Sequence, residues 1–206
     1  MRSYISRISY KLIVGSYHDN TQSFFIMEIL TGYERLNSRS DVREPITITM
    51  MQQMPNALMH VCSSKYENVI FSAAFLLAFA AFLRVGELTV KSNRDVNYAL
   101  SNKDIIIDQS TSTIFLTIPF SKTDQKGVTS TSVVKQIEGL DLISAMIVYL
   151  NMRPNIQCPL FCHLKGKFLT RYQFHSILSA ALRFLNYDVQ KKPLIHLESG
   201  QQLLRL

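Results

Sequence analysis

Apolar residues recur at helical spacing along most of this chain, with one β-branched interval in its middle. Tyr4, Ile5, Ile8 and Leu12 predict a first helix that closes at Gly15. Thr21 or Ser23 can cap a second, carrying Phe24, Ile26, Ile29 and Leu30 and ending near Gly32. Residues 38–45 are polar and turn-rich and read as a linker. Thr47, just after Pro45, can cap a third helix through Leu58, distorted near Pro55. From Tyr66 to Val90 the pattern is apolar nearly all round, which predicts one helix at the centre of the fold.

The periodicity then changes. Asp104 to Asp108 and Thr113 to Ile118 are short and β-branched, and Thr129 to Ile137 supplies a third strand. Between the second and third lies Ser121-Lys122-Thr123-Asp124-Gln125-Lys126-Gly127, a polar hairpin tip. Helical spacing returns with Leu142, Ile143, Met146, Tyr149 and Leu150, stopping before Pro154. Thr170 then caps a helix bearing Phe174, Ile177, Leu178, Ala181, Leu182 and Leu185. Helices, a small antiparallel sheet, then helices again make an α+β fold dominated by helix.

Composition narrows the function classes. Hydrophobic residues form 47% and charged residues 18%, a globular balance that argues against disorder. The formal charge of +7 points to a polyanionic partner, with nucleic acid first and an anionic membrane second. Three cysteines without a regular framework suggest a reducing compartment. Cys158, Cys162 and His163 invite a metal reading, but no second ligand pair stands at zinc spacing, and the residues around Pro159-Leu160-Phe161 read instead as a buried short strand. No signal-peptide pattern opens the chain, so secretion is not expected. The apolar run from Val69 to Leu83 is shorter than the roughly 20 residues a spanning helix needs.

Two residues carry candidate chemistry. Arg84 emerges where the apolar helix meets Gly86 and Glu87. It either ends a core helix and pairs with Glu87, or grips a phosphate through two parallel hydrogen bonds. Lys122 stands at the hairpin tip, either as a solvated turn lysine or as a proton donor to a leaving 5′-oxygen.

Together these residues resemble a family. Phe82-Leu83-Arg84-Val85-Gly86-Glu87-Leu88 is similar to the first arginine motif of tyrosine recombinases of the phage-integrase type. Ser121-Lys122-Thr123 falls where that family keeps its hairpin lysine. Pro45-Ile46-Thr47 resembles the opening of its catalytic domain, and Leu169 to Phe174 the segment before its histidine–arginine motif. The flavour is that of recombinases from eukaryotic mobile elements of the DIRS and Crypton kind. The resemblance implies residues 1–37 as the end of a helical core-binding domain, 38–45 as linker, and 46–206 as an incomplete catalytic domain. It also implies double-stranded DNA as partner, a recombinase-type oligomer on DNA, a nuclear location, and neither metal nor cofactor. Arg84 and Lys122 would be catalytic, and Arg84, Ser121, Lys122, Thr123, Lys126 and Arg171 would contact DNA.

The family mechanism asks for more. A tyrosine attacks the scissile phosphate, and arginines, a lysine and histidines stabilise the transition state. Position 199, three after His196, is Ser199 rather than arginine, and no tyrosine follows Tyr187. Codons compatible with residues 193–203, read two nucleotides further on, translate as Thr-His-Ser-Phe-Arg-Ile-Gly-Ala-Ala-Thr, which is like the family's His-x-x-Arg segment. A frameshift or mis-joined gene before Pro193 is therefore expected, and with it loss of strand exchange. The rival readings are a non-catalytic DNA-binding module and an interaction or membrane-associated protein built on the helix around residues 69–83.

Overall fold

The computed structural model describes residues 2–37, 45–90, 99–118, 130–156 and 158–189. It divides into two compact units, Met1–Val42 and Arg43–Leu206. In the first, α1 (Arg2–Val14) and α2 (Phe24–Leu36) are joined through a short 3-10 turn, Asn20–Gln22. Asp19 secures that turn: its carboxylate accepts from the Thr21 N–H at 2.9 Å and from the Ser9 hydroxyl. Among its described residues, Leu30 and Thr21 are buried, while Tyr4, Phe24, Phe25 and Ile29 are exposed.

The second unit is built around α4 (Lys65–Ala80), which Ser64 caps through the Glu67 N–H at 3.1 Å. Its apolar residues point in every direction, so it can be satisfied only by being enclosed. It is: Phe71, Phe75, Leu77 and Phe79 are each at most 1% exposed. α3 (Ile48–Val61) and α6 (Leu142–Met152) pack on it, and α7 (Arg171–Phe184) packs on α3. Thr47 caps α3, accepting from the Met50 N–H at 3.3 Å, as its position after Pro45 predicts. Pro55 lies inside that helix, which continues through it to Val61.

Three strands form an antiparallel sheet in the order β1 (Ile105–Asp108), β2 (Thr113–Ile118), β3 (Ser130–Lys135). Ile105 pairs with Leu116, and Thr113 with Lys135. Ile114, Leu116 and Ile118 turn inward on alternate positions and join the same core as α4, while Phe115 between them is exposed. The strands therefore match the β-branched intervals of the sequence. Pro159-Leu160-Phe161 is not a strand of this sheet; single bridges pair Ser101 with Pro159 and Cys162 with Phe168.

The expected single helix from Tyr66 to Val90 is two. α4 stops at Ala80, and α5 occupies only Val85–Leu88. Phe82 takes the left-handed conformation, φ 53°, and the Leu83 N–H reaches back to the Ala78 carbonyl at 3.1 Å. That is a Schellman-type stop, normally made by glycine. A bulky residue in this region is strained, and strain of this kind gathers beside functional sites.

Candidate phosphate-binding site

Arg84 lies two residues beyond the strained Phe82, immediately after the buried Leu83, and it is exposed. Its backbone is extended, φ −72° and ψ 143°, so it serves as the N-cap of α5 rather than as the last residue of the core helix. Its N–H donates to the Glu87 carboxylate at 2.9 Å, and its carbonyl accepts from the Glu87 N–H at 2.8 Å. Glu87 thus holds the Arg84 backbone, which is a more specific relation than the side-chain pairing the sequence suggests.

The α5 turn is pinned from two sides. Leu100 N–H donates to the Glu87 carbonyl at 2.9 Å, and Val90 N–H donates to the Leu169 carbonyl at 3.0 Å. The second bond brings the start of α7 alongside, because Thr170 pairs with Val90 and caps α7. Thr170 Oγ1 accepts from the Gln173 N–H at 3.2 Å, while Gln173 Oε1 accepts from the Thr170 N–H at 3.1 Å. This reciprocal cap holds the first helical residue, Arg171, in register with the α5 turn. Its guanidinium lies against Gly86: a methyl group on that glycine would sit 3.0 Å from Arg171 Nη2.

Arg84 and Arg171 therefore border the same short turn. His175 stands one helical turn after Arg171 and is half-buried. Burial, with the Arg171 charge adding to it, lowers its pKa below the ordinary histidine value. The lowered pKa favours the neutral imidazole, which can donate or accept a hydrogen bond beside the Arg171 guanidinium. His163 Nε2 contacts Gln173 Oε1 at 3.3 Å, tying the preceding hairpin to the same helix. Neither histidine was singled out for this role from the sequence. The spacing of Arg171 and His175 puts them on one helix face, but only the Val90–Leu169 pairing brings the start of that helix alongside the α5 turn.

Of the six residues expected to act at DNA, Arg84 and Arg171 are described, and the fold brings both to the α5 turn. Ser121, Lys122, Thr123 and Lys126 lie outside the described residues, as do His196 and the tail from Pro193. Among the described residues, no three His, Cys, Asp or Glu side chains come together in a way that could hold a metal. No described helix is long and apolar enough to cross a membrane. The apolar run from Val69 to Leu83 is spent on the core.

No protein-family model matches the chain. No curated protein matches it either. Solved structures do. A crystal structure of the XerH site-specific recombinase bound to its difH substrate, a pre-cleavage complex, superposes with a TM-score of 0.50 at 13% identity, over 75% of this chain and 40% of that one. The post-cleavage complex of XerH with a palindromic difH substrate gives 0.51 at 12% identity, over 74% and 39%. The XerA recombinase gives 0.44 at 15% identity, over 92% and 62%. The chain thus spans about two-fifths of the length of XerH. The chain is mostly helical with a three-stranded antiparallel sheet, and its fold is similar to that of the XerH site-specific recombinase.

Proposed function

We propose that this chain is a DNA-binding module derived from a tyrosine recombinase, an enzyme class that breaks and rejoins DNA through a covalent phosphotyrosine. The observation that carries the reading is the exposed Arg84 at the forced exit of the core helix, with Arg171 held beside the same turn. An exposed arginine that starts this turn and a second whose guanidinium lies against Gly86 can offer paired N–H donors to a phosphate. The net charge of +7 supplies the sequence-independent attraction to a duplex. The recombinase fold and the XerH complexes with difH support DNA as the polyanion. The unit Met1–Val42 then corresponds to the end of a helical core-binding domain.

In the full reaction Arg84 would stabilise charge on the scissile phosphate and Lys122 would protonate the leaving oxygen. Ser199 stands where the resemblance expects the second arginine. Removing one transition-state contact typically costs on the order of a hundredfold in rate. DNA binding is therefore the proposed activity of the residues present. Descent from a eukaryotic mobile element, a nuclear location and assembly of several copies on DNA belong to the same proposal and rest on the motif resemblance.

Two measurements test it. Fluorescence anisotropy with a labelled duplex should show binding that weakens steeply with salt. Arg84→Ala should lower affinity about tenfold or more, because a charge-assisted hydrogen bond contributes about 1.5–3 kcal/mol, and should reduce the salt slope by about one unit. Absence of binding at low salt would remove DNA as the partner. A covalent adduct on a nicked suicide substrate would show that the chain cleaves DNA as well as binding it.

A further inference from the structure

The hairpin between α6 and α7 contains a pair of thiols that the phosphate-binding site does not use. Arg153, directly after α6, turns its guanidinium back over this segment. Nε donates to the Leu160 carbonyl at 3.0 Å, Nη1 to the Pro154 carbonyl at 3.0 Å, and Nη2 to the Cys158 carbonyl at 3.0 Å. Nη2 also lies 2.9 Å from Cys158 Sγ. Cys162 follows four residues after Cys158, and burial, with the neighbouring Cys158 thiol adding to it, pushes the Cys162 thiol up to about 12. Cys158 is half-buried, whereas Cys162 is fully buried. One sulfur is thus reachable and faces a fixed cation, and a second sulfur waits behind it.

That is the arrangement of a peroxide-reactive cysteine with its resolving partner. We propose that Cys158 is an oxidation site for small hydroperoxides and that Cys162 resolves it to an intramolecular disulfide. The Cys158 thiolate attacks one peroxide oxygen, the O–O bond breaks, and sulfenic acid forms with release of water or an alcohol after proton uptake. The Cys162 sulfur then attacks the sulfenic sulfur. The S–O bond breaks, and the departing hydroxide takes the Cys162 proton as water. The two sulfurs together lose two electrons to the hydroperoxide, which is reduced.

Cys62, at the end of α3, provides an internal comparison. It is half-buried like Cys158, but burial, with Glu67 adding to it, pushes its thiol up to about 11. Exposure alone therefore does not distinguish these cysteines; the Arg153 contact and the adjacent thiol do. The disulfide would close a loop over Pro159-Leu160-Phe161, the segment that also receives the Leu169 N–H on the Phe161 carbonyl at 3.2 Å.

The test is to treat the full chain with hydrogen peroxide and map its cysteines by non-reducing mass spectrometry. The expected product has lost two hydrogens, links Cys158 to Cys162, and reverts with dithiothreitol. Cys158 should be consumed at least about tenfold faster than Cys62. In Cys162→Ser, dimedone should trap a sulfenic acid on Cys158, and in Cys158→Ser no adduct or disulfide should form. Faster oxidation of Cys62, a disulfide involving Cys62, or stable oxygen adducts on Cys158 in the unmutated chain would each overturn the assignment. The measurement on the unmutated chain stands even if a serine variant folds poorly.

Discussion

Gly86 and Arg171, far apart in sequence, meet closely: a β-carbon on the glycine would lie 3.0 Å from Arg171 Nη2. The contact couples the turn that starts at Arg84 to the helix that Thr170 caps. It makes Gly86 a probe of the site that does not remove any charge.

Gly86→Ala should leave stability nearly unchanged while weakening DNA binding. Alanine in the short helix recovers about 0.5–1 kcal/mol of backbone entropy, and the flexible guanidinium can move aside at a comparable cost. The Arg171 guanidinium then shifts by a few tenths of an ångström against the turn, which disturbs its alignment with a bound phosphate. A thermal melt alongside anisotropy would show this; a large loss of stability with normal affinity would place the effect in packing instead.

Thr170→Ala should destabilise the chain by about 1 kcal/mol, the usual cost of losing an N-cap. The Gln173 N–H loses its 3.2 Å acceptor, although Gln173 Oε1 can still accept from the backbone. Serine in place of threonine should restore most of the loss. Urea denaturation of the two variants checks both statements.

Tyr149→Phe removes a hydroxyl that works in two directions. It donates to the Leu160 carbonyl at 2.7 Å and accepts from the Cys162 N–H at 3.0 Å. Leu160 keeps Arg153 Nε as a partner, but the buried Cys162 N–H loses its acceptor. The expected cost is about 1–3 kcal/mol, that of an unsatisfied buried group. Stacking on Phe161, with ring centroids 5.1 Å apart, should survive, so near-ultraviolet circular dichroism should change little.

Stability should fall on acidification in two separate steps. Burial, and secondarily Arg171, lowers the His175 pKa below the ordinary 6.5. The unfolded chain therefore takes up this proton first, and the contribution of His175 is present above 6.5 and lost as pH drops through its folded value. Hydrogen bonds from Ser110 and Thr111 lower Asp108 from 3.8 to about 2, so its contribution is kept above 3.8 and lost towards pH 2. Melting temperatures recorded from pH 7 downwards should show the first step flatten in His175→Gln and the second in Asp108→Asn.

The helices and strands were legible wherever a local cause produces them. Thr47 and Thr170 mark helix starts because a hydroxyl three residues before an N–H can cap it regardless of the rest of the chain. The alternation in Thr113 to Ile118 predicts one buried face because successive strand residues point to opposite sides. The end of α4 was not legible in the same way. Nothing in Phe82 announces a left-handed residue, and continuous apolar spacing argued for one helix through to Val90. The stop is imposed by the surroundings, in which Leu83 and Leu88 must both be buried while Arg84 between them remains in solvent.

By itself the sequence determined that the chain has a helix-enclosed core with a small sheet, that it is basic, and that Arg84 stands where an apolar helix gives way to charge. Those properties follow from composition and short-range periodicity, which each segment carries alone. Tertiary structure decided that Arg84 begins a new helix, and that the Arg171 guanidinium lies against the same turn. It also decided that the Arg153 guanidinium reaches the Cys158 sulfur. These relations depend on backbone pairings between distant segments, Val90 with Leu169 and Leu100 with Leu160, which form only when the shared core brings those segments together.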